Sequence, residues 1–233
     1  QYITRIPFDI FSQDFAGNII QIKNKYPEIY KNGDDIWKHR CVELMWSKTR
    51  MISAAIRMMG ESIDNVFWID AGLSNSSIIR HKYFKNIGNG DFYSSQGLFI
   101  PRFVFNLVKH SQGKILSIRH TQPHNYPIPE KFNKNKYNDN YSMIGGLFGG
   151  NIEYMNKFCS IFEEYITKLL INEELYSEES IYTGIHNDNI RMFTDMTFDT
   201  FYHQNWEEYD ENQVAFTSII EKFIETEEIH DKR

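Results

Sequence analysis

The sequence of 233 residues has little cysteine, no excess of positive charge and no long apolar run. Its two cysteines, Cys41 and Cys159, lack the paired spacing of a zinc site and predict buried thiols in a reducing compartment. Lysine and arginine number 25 against 31 aspartate and glutamate, a net charge of −6, which argues against a general nucleic-acid binder. No apolar run approaches the length of about 18 residues that indicates a membrane span, so we predict no transmembrane segment.

The composition is that of a folded chain. Hydrophobic residues make up 41% and charged residues 24%, which is enough to bury a core and excludes wholesale disorder. Aromatic residues reach 15%, and they serve cores first and flat ligands such as sugars second. The length fits one domain of ordinary size, so we predict a single domain over residues 1–233.

Helical patterns alternate with buried strands along the chain. We predict a long helix from Asp34 and Asp35 to about Met59, closed by Gly60. Further strands are predicted over 2–6, 66–69, 115–119, 141–150 and 192–201, and further helices over 75–81, 101–110, 151–171 and from Glu178. Polar loops are predicted over 85–97 and 121–140, and an acidic C-terminal helix over 208–233. This alternation predicts an α/β fold with a central, mostly parallel mixed sheet flanked by helices.

Asp70 follows the apolar run Val66–Ile69, which predicts a strand buried on both faces. Ligands of open α/β sheets bind at the carboxyl ends of the strands, and this carboxylate lies at such an end. Asp70 either caps the next turn or binds a divalent metal, because carboxylate oxygens suit Mg²⁺ and Mn²⁺.

A glycine-rich segment contains Gly145, Gly146, Leu147, Phe148, Gly149 and Gly150. Glycine has no Cβ and therefore allows a ligand to approach the backbone closely. The segment predicts either a pocket lined by backbone or a tight passage from a strand into the helix that Asn151 would cap. It matches neither a Walker loop nor G-x-G-x-x-G, so those phosphate cradles are not indicated.

Two acidic residues, Glu178 and Glu179, follow Ser177 at the start of a predicted helix. Acids in a first turn interact favourably with the helix dipole, and one of them could instead act as a general base. His203 is interpreted either as structural or as a metal ligand, and Trp206 either as core or as a surface on which a sugar stacks.

Two basic residues, Lys48 and Arg50, lie in the helix that precedes Asp70. They predict either a solvated helix face or contacts to a diphosphate at the strand edge. No G-x-S-x-G and no H-E-x-x-H occurs, which argues against hydrolases and zinc proteases of those types.

Taken in order, these motifs resemble the HtrL/YibB family of bacterial proteins, which is found with lipopolysaccharide-core and lipooligosaccharide genes. The resemblance covers roughly residues 40–206 and rests on Ser47-Lys48, Trp68-Ile69-Asp70-Ala71-Gly72, the 145–150 glycines, Glu178-Glu179, His203 and Trp206. The layout is also similar to GT-A glycosyltransferases, in which a strand ending in Asp-x-Asp binds a divalent metal and the nucleotide diphosphate. Here Gly72 stands at the second Asp position, so a metal site would need His203, Asp195 or water to complete it.

The resemblance implies a GT-A-like domain that lacks its N-terminal strand and transfers a sugar from a nucleotide-diphosphate sugar to a bacterial surface glycan or glycolipid. It implies that Asp70 and His203 bind Mn²⁺ or Mg²⁺, that Lys48 contacts the donor phosphates, and that Glu179, or else Glu178, is the catalytic base. Gly145, Gly146, Phe148, Gly149, Gly150 and Trp206 would shape the donor and acceptor pocket. The location implied is the cytoplasm, with or without peripheral contact at the inner face of the membrane.

Two other classes of function fit the same residues. A catalytically silent protein that binds or assembles glycans is favoured by the single aspartate at the strand end. A nucleotidyltransferase or phosphohydrolase would release pyrophosphate or phosphate instead of a nucleoside diphosphate. One fold hosts many functions, so the fold alone does not decide among them.

Overall fold

The computed structural model describes residues 8–9, 13–30, 41–70, 101–120 and 142–198. Its helices are α1 (Asp14–Lys25), α2 (Pro27–Tyr30), α3 (Cys41–Met59), α4 (Pro101–Ser111), α5 (Ile152–Ile171) and α6 (Glu178–Asp188), with short 3₁₀ helices at Gly60–Ser62 and Ile190–Met192. Its strands are β1 (Asn65–Ile69), β2 (Ile115–His120), β3 (Ser142–Asn151) and β4 (Phe193–Phe198). The elements predicted over 2–6, 75–81 and 208–233, the loops over 85–97 and 121–140, and the start of the long helix at Asp34 lie outside the described residues.

The four described strands form one mixed sheet in the order β1-β3-β2-β4. β3 is antiparallel to both of its neighbours, and β2 and β4 are parallel. The α/β class and the mixed sheet are confirmed. Two of the three pairs of described strands are antiparallel, because β3 runs against both of its neighbours, so the prediction of a mostly parallel sheet was wrong for these strands. Because β1, β2 and β4 point the same way, their carboxyl ends meet at one edge of the sheet.

A bulge interrupts β3 at this edge. Ser117 pairs with Phe148 and Arg119 pairs with Met143, so two steps along β2 correspond to five steps along β3. The extra residues include Gly145 and Gly146, whose backbone groups are released from part of the β2 ladder. Bulges bend a strand and redirect its groups, and this one places glycine backbone beside the end of β1.

The main core lies between the sheet and helices α3, α5 and α6. Phe148 of β3 packs there against Phe158 and Tyr182, with ring centroids 5.6 and 4.9 Å away. Such an aromatic cluster removes a large apolar area from water and fixes α5 and α6 on the sheet. α4 packs against β2, β3 and β4.

The two long helices after β3 begin at the predicted caps. The Asn151 side chain accepts hydrogen bonds from the backbone N–H groups of Glu153 and Tyr154, and the Ser177 side chain accepts one from Ser180. These contacts satisfy donors that have no partner inside the helix. The cap at Ser177 is what places Glu178 and Glu179 in the first turn of α6.

Both cysteines are free thiols. Cys159 is buried as predicted, and burial raises the pKa of its thiol to about 11, which makes the thiolate rare at neutral pH. Cys41 is only partly buried, so the prediction that both thiols are buried was wrong for Cys41. Among the described helices, none has the length and apolar character needed to cross a membrane.

Candidate functional site

The carboxyl end of β1 brings together side chains from three elements that are distant in sequence. Lys48 of α3 extends to this end, and its Nζ lies 3.2 Å from Asp70 Oδ2 and 3.0 Å from Glu178 Oε1. The third neighbour is the carbonyl oxygen of Gly145 in the bulge of β3, 3.2 Å from the same Nζ. The sequence motifs at 48, 70, 145 and 178 therefore meet in one cluster.

Lys48 is the centre of this cluster, and its side chain is only 8% exposed. An ammonium group has three N–H donors, and here three acceptors lie within 3.2 Å. Burial alone would lower the pKa of Lys48, but the carboxylates of Glu178 and Asp70 outweigh it and raise the pKa, so the group stays charged. Lys48 is thus placed to hold the cluster together, with its donors already directed at protein acceptors.

Asp70 is the accessible carboxylate of the cluster, with 38% of its side chain exposed. Its Oδ1 accepts a 2.6 Å hydrogen bond from the indole N–H of Trp68, and its backbone N–H donates to the Gly146 carbonyl oxygen at 2.9 Å. These contacts fix the carboxylate at the strand end and leave one side of it open to solvent. The indole contact was not predicted, although Trp68 stands two residues before Asp70 and side chains two apart share a face of a strand.

The described residues contain no group of three histidine, cysteine, aspartate or glutamate side chains that could hold a metal ion. Asp195, predicted as a further ligand, lies on β4, three strand spacings or about 14 Å from β1, and cannot share an ion with Asp70. His203 lies outside the described residues, and so does Trp206. Asp70 by itself fits Mg²⁺ or Mn²⁺ only in the usual open arrangement, where substrate phosphates and water supply the other oxygens.

Gly145 and Gly146 line the cluster, and a side chain would be obstructed at residue 145 but not at residue 146. A Cβ at residue 145 would come within 2.6 Å of Glu178 Oε1, and a Cβ at residue 146 would lie 3.5 Å from Asp70 Oδ2. The backbone N–H of Gly145 donates to Glu179 Oε1 at 3.0 Å, while its carbonyl accepts from Lys48. The bulge therefore directs the N–H of Gly145 at the carboxyl group of Glu179 and its carbonyl oxygen at the ammonium group of Lys48.

The other half of the glycine-rich segment belongs to the sheet. Gly149 and Gly150 are buried, with φ of +144° and +156°, and a Cβ there would collide with Val66 O and Lys114 O on the neighbouring chain segments. Phe148 is fully buried in the aromatic core. The prediction that these three residues line a pocket was wrong, because the close approach that glycine allows here is between strands.

The two acids at the start of α6 differ in their surroundings. Glu178 is 6% exposed and is held by Lys48, whereas Glu179 is partly exposed and accepts a hydrogen bond from the Gly145 N–H. Burial, followed by the negative charge of Glu178, raises the pKa of Glu179 to about 7. A carboxyl whose pKa is moved toward neutrality by burial and by a neighbouring negative charge is typical of an acid–base site.

Arg50 does not join the site. Its guanidinium binds Glu163 of α5 with two bonds of 2.8 Å and Asp14 of α1 with one of 2.6 Å, and it stacks 4.5 Å from the centre of the Phe15 ring. These contacts connect α1, α3 and α5. The residue is neither on a solvated face nor near the strand edge, so both interpretations of Arg50 were wrong.

A second polar cluster lies under the other end of α6. Asp195 Oδ1 accepts hydrogen bonds from Ser117 Oγ at 2.7 Å and from His186 Nε2 at 2.8 Å, and Asp195 Oδ2 lies 3.7 Å from Arg119 Nη1. Ser117 and His186 are fully buried. Arg119, Ser117 and His186 were not identified from the sequence, and the one available signal was polar residues alternating at 117 and 119 in an apolar strand.

Comparisons with protein-family models, with curated proteins and with solved structures found no match to this chain. The similarity to the HtrL/YibB family and to GT-A glycosyltransferases therefore stays a prediction.

Proposed function

We propose that the protein is a GT-A-like glycosyltransferase that moves a sugar from a nucleotide-diphosphate sugar to a hydroxyl group of a glycan acceptor. One observation carries the proposal. An exposed carboxylate that can bind a metal–diphosphate, Asp70, and a carboxyl that titrates near neutrality, Glu179, both lie against the bulge Gly145–Gly146. Transfer to a hydroxyl group needs a leaving-group binder and a base on either side of the reacting sugar.

On the donor side, Asp70 would hold Mg²⁺ or Mn²⁺ together with the diphosphate oxygens. Such an ion, when bound, neutralises the charge that develops on the leaving diphosphate. The protein's own part is to fix the carboxylate, through Trp68 to one oxygen and Lys48 to the other. Lys48 acts here as a positioning residue, because its three donors are engaged within the cluster.

On the acceptor side, Glu179 is the base in an inverting reaction. The acceptor oxygen forms a bond to the anomeric carbon, the bond from that carbon to the phosphate oxygen breaks, and the hydroxyl proton passes to Glu179. A pKa of about 7 suits this role, since the carboxylate is available at neutral pH and still binds a proton well. Glu178 is the poorer base, because its carboxylate is buried and paired with Lys48.

The acceptor and the location follow the same proposal. A glycan or glycolipid of a bacterial surface is the acceptor class, and the protein would act in the cytoplasm or at the inner face of the membrane. The net charge of −6 and the acidic site agree with an acceptor other than nucleic acid.

The test is donor turnover by the full chain. The protein is incubated with a panel of nucleotide sugars, with Mn²⁺ or with a chelator, and release of nucleoside diphosphate is measured. We expect release from one donor and its loss, by at least about a hundredfold, in Asp70→Asn, because the change removes the charge that binds the metal–diphosphate. Asp64→Asn is the matched control, since Asp64 is exposed and precedes the same strand. Full turnover in Asp70→Asn with a native melting temperature would contradict the assignment.

A catalytically silent glycan-binding protein is the second candidate, and two observations favour it. Lys48 already has an acceptor for each of its three hydrogens, and the described residues hold no three-ligand metal site. Such a protein would bind glycans and release no nucleoside diphosphate from any donor. Release of phosphate or pyrophosphate in the same assay would instead identify a phosphohydrolase or nucleotidyltransferase.

A further inference from the structure

The cluster around Asp195 has the form of a ligand subsite. Asp195 Oδ1 is held by two hydrogen bonds, from Ser117 and His186, while within the described part of the chain Oδ2 accepts none. The side chain of Asp195 is 30% exposed, and Arg119 Nη1 lies 3.7 Å from Oδ2, beyond hydrogen-bond distance. One oxygen is therefore fixed in place, and the other is presented to solvent beside a guanidinium.

The side chains around Oδ2 suit a hydroxyl group. A hydroxyl can donate to a carboxylate oxygen and accept from a guanidinium at the same time. Arg119 also donates to Asn187 Oδ1 at 3.4 Å, and Asn187 is exposed. A neutral polyol is favoured over an anion, because an anion would meet the Asp195 carboxylate.

The register places this cluster on the same face and edge of the sheet as Asp70. Trp68, Phe148, Ser117 and Asp195 form one row across the four strands. Asp70 and Arg119 stand two residues further along β1 and β2, so both lie on the face that α6 covers, at the carboxyl edge. β3 separates the two strands, which gives a spacing of about 10 Å, more than one sugar ring spans.

We propose that Asp195, Arg119 and Asn187 form a subsite for the hydroxyl groups of a neutral oligosaccharide, one or more sugar units away from the reacting hydroxyl. The proposal deepens the transferase assignment by naming where the acceptor chain lies, and in that sense it rests on the proposed function. Hydroxyl binding at Asp195 itself needs no donor, no metal and no turnover.

The test measures binding and turnover separately on the full chain. Binding is measured by calorimetry against neutral oligosaccharides of two to four units, with their uronic-acid counterparts as anionic probes. We expect a neutral probe to bind and Asp195→Asn to weaken it at least about tenfold, because a charge-assisted hydrogen bond is lost. Asp188→Asn is the matched control, since Asp188 is an exposed carboxylate at the C-terminus of α6 and accepts a hydrogen bond from Tyr165.

The outcomes separate the subsite from the transferase. Hydrolysis of the nucleotide sugar by water, without acceptor, should be unchanged in Asp195→Asn and lost in Asp70→Asn. Binding of the neutral oligosaccharide should be weakened in Asp195→Asn and unchanged in Asp70→Asn. If Asp195→Asn unfolds, Asn187→Ala carries the same test, because Asn187 is exposed at the end of α6. Three results would overturn the subsite, whatever the donor assay shows. They are no binding of the neutral probes by the wild type at millimolar concentration, tighter binding of the anionic probes, and equal binding by Asp195→Asn and its control Asp188→Asn.

Discussion

The proton on Glu179 leads to a prediction about stability that needs no substrate. Glu179→Gln keeps the shape of the side chain and an oxygen that can accept the Gly145 N–H. It also removes a carboxyl group whose ionised form is disfavoured by burial and by the charge of Glu178. The amide therefore imitates the protonated carboxyl at every pH.

The pKa values determine the sign and size of the effect. The pKa of Glu179 rises from 4.5 to about 7 on folding, so below about pH 4.5 the carboxyl is protonated in both states. Between these values the unfolded chain loses its proton while the folded chain keeps it, and stability falls as the pH rises. One unit of pKa difference corresponds to about 1.4 kcal/mol. Because the side chain is partly exposed, we expect the loss of folding free energy from ionised Glu179 to be about 2–3 kcal/mol above pH 7.

The assay is chemical denaturation of the wild type and Glu179→Gln at several pH values between 4 and 8. We expect equal stabilities near pH 4 and a more stable variant by about 2–3 kcal/mol at pH 8. Glu153→Gln is the matched control, because Glu153 is in the first turn of α5 and is exposed, and it should bring no gain at any pH. A Glu179→Gln variant that is no more stable at pH 8 than at pH 4, relative to wild type, would refute a raised pKa. Transfer activity of the wild type should rise with pH through about 7 for the same reason.

Two further predictions concern packing, and both are measured as free energies of unfolding by denaturant titration. Gly17→Ala should stabilise the chain by about 0.5–1 kcal/mol, because residue 17 is inside α1 with open space around it. Gly150→Ala should destabilise the chain by about 3 kcal/mol or more, because the new Cβ would collide with the Lys114 carbonyl oxygen. Equal effects of the two substitutions would contradict this contrast. Tyr182→Phe should be neutral or stabilising by about 1 kcal/mol, since the buried Tyr182 hydroxyl has no hydrogen-bond partner among the described residues, and a loss above about 2 kcal/mol would show that the hydroxyl is bound.

Local signals in the sequence were sufficient for the four strands that the structure describes and for the starts of the two helices after β3. Asn151 and Ser177 are strong N-cap residues, and both helices begin after them as predicted. Asp70 was located by the apolar run before it, and its place at a strand end is a local property. Because strand ends of one direction gather at one edge, the position of Asp70 at that edge was foreseeable from local patterns. Its meeting with Glu178 was not, because α6 follows helix α5 and not a strand.

Long-range register was not foreseeable. The bulge in β3 depends on how Phe148 and Met143 pair with β2, and no residue pattern within β3 states that pairing. It decides that Gly145 and Gly146 line the cluster while Gly149 and Gly150 serve the sheet. The contact between His186 and Asp195 likewise follows from the direction in which α6 crosses the sheet, and this is a tertiary property.

The three contacts of Lys48 also constrain how the sequence of this chain can evolve. Removal of Lys48 or of Glu178 alone leaves the other as a buried charge without its closest partner. Such a loss typically destabilises a protein by about 3–5 kcal/mol, which is a large part of the total stability of a domain. Simultaneous replacement of both by apolar residues is far milder. Single-step mutation therefore meets a barrier at this position, and relatives of the chain are expected to keep the pair together or to have lost both members.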